Sequence, residues 1–213
     1  MFTPNSKTDI LTEVAEYYSS KLTQHGETPQ GVDWNGEKSQ TLRFKQLCQL
    51  IYESKHFSIN DLGCGYGALY DFLTHRYGSF SYSGSDISEK MVRAAQNRYH
   101  NKKNAHFVLA REPLQVADYG IASGIFNVRL DQPDDSWYSY IQATLDILDA
   151  TSTIGFAFNC LTSYSDADKM RSYLYYANPC ILFEHCKRCY SCNVALLHDY
   201  GLYEFTILVR KRL

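Results

Sequence analysis

The sequence predicts an α/β protein whose mostly parallel sheet carries helices on both faces. Three observations predict it. From residue 56 onward short apolar runs alternate with helix-patterned segments; "INDLGCGYGALYDFL" (59–73) turns a strand into a helix through three glycines; and the chain ends on two strands with no room for a helix between them. Alternation of this kind returns each strand through a helical crossover, which makes the sheet parallel. The final pair, "NVALLHDY" and "YEFTILVR", is joined through Gly201 and must be antiparallel.

In chain order, residues 9–23 place Ile10, Val14, Tyr17 and Tyr18 near helical spacing behind a Thr8 or Asp9 N-cap. The Gly-, Pro- and Asn-rich run 24–40 reads as a loop, and a second helix follows at about 38–53 with Leu42, Leu47, Leu50 and Ile51 on its apolar face. Strands are expected at "FSIND", "FSYSGSD", "AHFVLA", "YGIASGIF" and "STIGFAFNCL". Helices are expected at "ALYDFLTHRY", "SEKMVRAAQNRYH" and "DSWYSYIQATLDILD", the second with half a capping box at Ser88.

A length of 213 residues suits one domain with a small cap, and 45% hydrophobic with 21% charged residues is ordinary globular composition. A formal net charge of -2 gives no electrostatic reason to expect nucleic acid or an anionic membrane as partner. The start shows no basic-then-apolar signal pattern, and no apolar run reaches the ~20 residues of a membrane span. A cytoplasmic location is the expectation. The seven cysteines then read as reduced thiols. "HCKRCYSC" (185–192) has C-x-x-C-x-x-C spacing, but it lies in one helix-like stretch without a second pair, so no metal is expected there.

Gly63, Gly65 and Ala68 fit G-x-G-x-x-G/A, which also suits a dinucleotide. Asp61, at the mouth of the turn, discriminates. A pyrophosphate would be repelled by that carboxylate, whereas S-adenosylmethionine (SAM) brings an ammonium and a sulfonium and no phosphate. Asp86 closes the next strand, where a carboxylate can accept both hydroxyls of an adenosine ribose; it also suits the N-cap of the helix that follows.

"DLGCGYGALYDFL" with "SGSDISEKMVRAA" resembles the glycine-rich motif and acidic loop of class I SAM-dependent methyltransferases, and the resemblance runs over roughly residues 56–213. "YYSSKLTQHGETPQGVDWN" is similar to the N-terminal lid of the family's small-molecule members. The resemblance implies a seven-stranded sheet of order 3-2-1-4-5-7-6 with Asp61, Gly63, Cys64, Gly65, Asp86 and Ile87 around the cofactor. Ser123 and the lid residue Tyr18 join them, and S-adenosylhomocysteine (SAH) is the product. A helical lid over residues 1–54 and a cofactor-binding domain over 55–213 are the expected divisions. In "FVLAREP", Arg111 stands where many members have an acid. Either Glu112 takes that contact with the adenine, or backbone and apolar groups hold it.

Methyl transfer needs alignment above all, with a proton removed where the acceptor requires it. Substrate residues are therefore expected at strand ends and lids: Asn127, Asn159, Tyr200, Trp34, and Tyr173 and Tyr176 of a cap at about 163–179. His198, at the carboxyl end of the sixth strand, is the candidate base. The expected acceptor is a small molecule. A protein or RNA methyltransferase, or a SAM-binding module without catalysis, are the alternatives.

Overall fold

The structure, a computed structural model, describes residues 7–52 and 56–211, with side chains from residue 10. Seven strands are β1 (Phe57–Leu62), β2 (Phe80–Asp86), β3 (Ala105–Leu109), β4 (Ala117–Ala122), β5 (Ser152–Leu161), β6 (Asn193–Leu197) and β7 (Glu204–Arg210). The main helices are α1 (Lys7–His25), α2 (Glu37–Leu47), α3 (Ala68–Arg76), α4 (Glu89–Arg98), α5 (Asp134–Ala150) and α6 (Pro179–Cys189). The sheet order is β3-β2-β1-β4-β5-β7-β6, with β7 antiparallel to both of its neighbours, as the resemblance implied.

The helix ends follow from local chemistry. Ser88 caps α4, its Oγ accepting from the Met91 N–H. Asn178 caps α6 ahead of Pro179, whose missing N–H costs nothing at the first helical position. α1 already begins at Lys7, upstream of the expected caps, and the side chains of Thr8 and Asp9 lie outside the described residues.

Strand alternation divides the interior into two cores. Ile59, Tyr82, Phe107 and Ile121 pack with Phe44 and Leu47 of α2, Leu73 of α3 and Ala95 of α4 on one face. Phe156, Phe158, Phe205 and Ile207 pack with Ile10 and Val14 of α1, Trp137 and Ile141 of α5 and Leu182 of α6 on the other. The described residues ahead of β1 therefore do two things. α2 joins a helical layer of the sheet, while α1 and the loop after it border the site. Strand order reverses between β1 and β4, which both pair in parallel. Helices depart to opposite faces there and leave a crevice at the carboxyl ends of the strands.

Candidate active site

The glycine turn leaves β1 at the crevice. Gly63 (φ 76°), Gly65 (φ 54°) and Gly67 (φ 85°) all occupy left-handed backbone that favours glycine. A Cβ on Gly63 would stand 2.1 Å from Ile125 Cγ2, so a side chain there collides with the loop after β4. The turn is tied to β2: the N–H groups of Gly63 and Cys64 donate to the Ser85 carbonyl at 2.8 and 3.1 Å.

Asp86 anchors both sides of this turn. The Gly65 N–H donates to its Oδ2 and the Ser88 N–H to its Oδ1, each at 2.8 Å. Burial raises its pKa, and hydrogen bonds from Ser88, Gly65 and Ile87 pull it back. Asp61 is buried too, its carboxylate accepting a 2.5 Å hydrogen bond from Tyr82. Burial pushes its pKa up to about 7, against the lowering effect of the Tyr82 bond and helped by the nearby Asp86 charge. The Cys64 thiol is also raised well above its ordinary value by burial, so it stays protonated.

A cavity of about 350 Å³ opens onto these groups. Of the expected cofactor residues, Asp61, Gly63, Cys64, Gly65, Asp86, Ile87, Glu112, Ser123 and Tyr18 all line it, and Arg111 stands beside Glu112. Ser123 Oγ is buried there without a hydrogen-bond partner. Tyr140 and Thr144 of α5 also reach it; from sequence they were indistinguishable from the rest of an amphipathic helix.

A second cavity, of about 560 Å³, adjoins the first, and both are lined by Tyr18, Val32, Trp34 and Gly124. Asn127, Tyr173 and Tyr176 line the second. Trp34 is fixed from behind: Arg43 lies 3.8 Å over its ring, and a Cβ on Gly124 would come within 2.5 Å of it. Arg43 in turn is held by Glu204, which accepts from its Nε at 2.8 and 2.9 Å and from Nη2 at 2.5 Å. Asn159 completes this buried network, donating to Glu204 at 2.6 Å and accepting from the Gly124 N–H at 2.9 Å.

Three expected residues line neither cavity. Asn159 is wholly buried, its amide taken up by Glu204 and Gly124. The Tyr200 hydroxyl meets Thr206 Oγ1 at 3.1 Å. His198 is exposed at the strand end, its ring 5.9 Å from Tyr164 and 6.1 Å from Phe205. His198 and Tyr200 lie in the β6–β7 link, of which Gly201–Tyr203, followed by Glu204 of β7, line the second cavity.

The cap and the N-terminal segment touch. The Tyr17 and Tyr173 rings lie 6.3 Å apart, and Asp33 accepts from the Tyr17 hydroxyl at 2.7 Å while pairing with Lys21 at 2.8 Å. The cap is held underneath by the Arg129 and Leu130 N–H groups, which donate to the Tyr173 carbonyl. In the cysteine-rich stretch Cys186 is buried while Cys189 and Cys192 are exposed. Among the described residues no three His, Cys, Asp or Glu side chains converge on a metal position, and no helix is long and apolar enough to cross a membrane.

The seven-stranded sheet and its glycine turn define the Rossmann-like methyltransferase fold, and comparison with known proteins agrees. Residues 59–149 match the family described as a methyltransferase domain. The Mycobacterium tuberculosis protein named as methyltransferase Rv1506c is 60% identical over 163 residues, covering 76% of this chain and 98% of its own. The chain belongs to this methyltransferase family. The SAM-bound magnesium protoporphyrin IX methyltransferase ChlM of Synechocystis PCC 6803 aligns with a TM-score of 0.68 at 16% identity, over 99% of this chain and 100% of its own. A DhpI–SAH complex aligns with a TM-score of 0.65 at 13% identity, over 97% of this chain and 98% of its own. At such identities these likenesses speak to the fold.

Proposed function

We propose that this chain binds SAM in the first cavity and transfers its methyl group to a small molecule held in the second. The observation that carries this reading is the shared wall: Tyr18, Val32, Trp34 and Gly124 face both spaces, so a donor in one meets an acceptor in the other. The first cavity suits SAM by its own chemistry. It offers two buried carboxylates for a cationic amino-acid end and a ribose, a turn with glycine at 63, 65 and 67, and the unpartnered Ser123 Oγ.

In this reading Asp86 accepts the ribose hydroxyls, while Asp61 and the Gly63–Gly65 backbone face the methionine portion. Ile87 and Glu112 border the adenine. When bound, SAM would supply an electrophilic methyl on its sulfonium and leave as SAH. The remaining work belongs to the protein. Tyr18 and Trp34 set the approach between the cavities, and the cap residues Tyr173 and Tyr176 with Asn127 hold the acceptor and exclude water. His198 touches neither cavity and is assigned no step.

Calorimetry with SAH and with NAD tests the donor: SAH should bind and NAD should not, and the reverse would overturn the reading. Label from methyl-tritiated SAM should then enter the small-molecule fraction of a cell extract. Transfer abolished by nuclease or by removal of the protein fraction would favour RNA or protein as acceptor.

A further inference from the structure

Arg43 holds a donor that the fold leaves unused. Its Nε and Nη2 are spent on Glu204, but Nη1 is buried without a partner on a residue only 6% exposed, and Arg43 lines the second cavity. Native proteins pair nearly all buried donors, and a guanidinium cannot shed its proton to escape the cost. A charged N–H left over on a buried residue that lines the cavity points to an acceptor atom on a ligand.

The charges around it agree in sign. Both carboxylates of the wall are already engaged: Glu204 by Arg43 and Asn159, and Asp33 by Lys21 and Tyr17. On the cationic side, the exposed Arg171 guanidinium donates to the Asp168 and Met170 carbonyls and forms no ion pair among the described residues, while the Arg171 backbone N–H donates to the Tyr176 hydroxyl. Lys169 beside it pairs with exposed Asp168 at 3.2 Å. Unspent charge on this wall is positive. Tyr18, Trp34, Tyr173 and Tyr176 supply flat surface between these groups.

We infer that the second cavity takes a small aromatic acceptor bearing an oxyanion, carboxylate or phosphate, which receives a hydrogen bond from Arg43 Nη1 with Arg171 at the entrance. The inference rests on the methyl-transfer reading in calling this ligand the acceptor. Its chemistry follows from the wall alone. Glu204 and Trp34 act through Arg43 as positioning residues, holding its fork in one plane.

The test is calorimetry of 4-hydroxybenzoate, 4-hydroxyphenyl phosphate and 4-hydroxybenzamide against the protein, first alone and then with SAH. At least one anion should bind roughly tenfold or more tighter than the amide, the scale of one charged hydrogen bond. Which anion binds tighter assigns the oxyanion to carbon or to phosphorus. Arg43→Lys keeps a cation opposite Glu204 but loses the fork, and should weaken the anions roughly tenfold while sparing the amide and SAH. Arg171→Ala, an exposed change without risk to folding, should weaken the anions a few-fold and flatten their salt dependence. Equal affinity for amide and anions, no binding of either anion, or unchanged anion affinity in both variants would overturn the inference. Failure of SAH to bind would count against the methyl-transfer reading instead, and the SAH-free titration still decides the anion question.

Discussion

The two cavities share a wall and are built by opposite strategies. The first is built around adjacent strand ends: Asp61 to Gly65 at β1, Asp86 and Ile87 at β2, Ser123 after β4. Asp61 and Asp86 are buried, and backbone N–H groups or a tyrosine hold them in place. The second collects Asp33, Arg43, Asn127, Tyr173 and Glu204 from five separate segments, and its fixed element is a side-chain network centred on Glu204. One region is therefore preorganised by the sheet itself. The other depends on side chains far apart in sequence, joined through the buried Arg43–Glu204–Asn159 network.

Asp86→Ala should separate the two regions most sharply. It removes the acceptor for both the Gly65 and Ser88 N–H groups together with the proposed ribose contact. Charge-assisted hydrogen bonds are worth about 1.5–3 kcal/mol each, so SAH affinity should fall by roughly a hundredfold or more. Titration with SAH checks this. Affinity within a few-fold of wild type would remove Asp86 from the cofactor site.

Asp61 gives the next effect, and its sign is the reverse of the common carboxylate case. Its folded-state pKa is raised to about 7 from an ordinary 3.8, so between those values the folded protein holds a proton that the unfolded chain has released. Stability from this group is present below the lower value and lost as pH rises toward the upper one. Asp61→Asn, which still accepts from Tyr82, should flatten the decline and raise stability above pH 7 by on the order of a few kcal/mol. Melting temperatures of both proteins across this window provide the check. A cationic ligand favours the ionised form, so SAM binding near pH 6 should release a proton and weaken as pH falls. Calorimetry in buffers of different ionisation heat measures that release; none at pH 6 would place Asp61 away from the ligand's charge.

Trp34→Ala addresses the shared wall. It unites the two spaces and strips the stacked ring from Arg43, a contact worth about 1 kcal/mol. Turnover should drop roughly tenfold to a hundredfold through lost alignment, while SAH affinity changes by much less. Parallel losses in both would mean that Trp34 supports the cofactor cavity rather than the approach between the cavities.

What could be read from the sequence follows the same division. Asp61, the glycines and Asp86 lie within 26 residues, and their spacing is set by a strand, a turn, a crossover helix and a parallel strand, so a linear pattern encodes their meeting. Arg43 and Glu204 are 161 residues apart, and nothing local marks either one. His198 and Tyr200 were placed by strand direction alone; where the chain turns after β6 decides which side chains reach the crevice, and Gly201–Glu204 do so instead. Asn159 stands near the carboxyl end of β5, yet strand position does not tell whether an amide faces a ligand or a buried glutamate.

The smallest expected effect tests whether the two aromatic segments act as a lid. Tyr17 joins them, its ring against Tyr173 and its hydroxyl on Asp33, and both hydroxyl partners are only part-buried. Tyr17→Phe keeps the ring contact and removes one hydrogen bond, so stability should fall by about 1 kcal/mol or less. If the segments close over bound ligand, SAH should slow hydrogen exchange across residues 10–36, and the variant should lose part of that slowing while keeping the protection of β1 and β2. The division matters because a merely structural contact would shift exchange equally with and without SAH. Equal shifts, or no SAH-dependent protection in the wild type, would leave Tyr17 as packing between helix and cap and leave the second cavity open throughout the reaction.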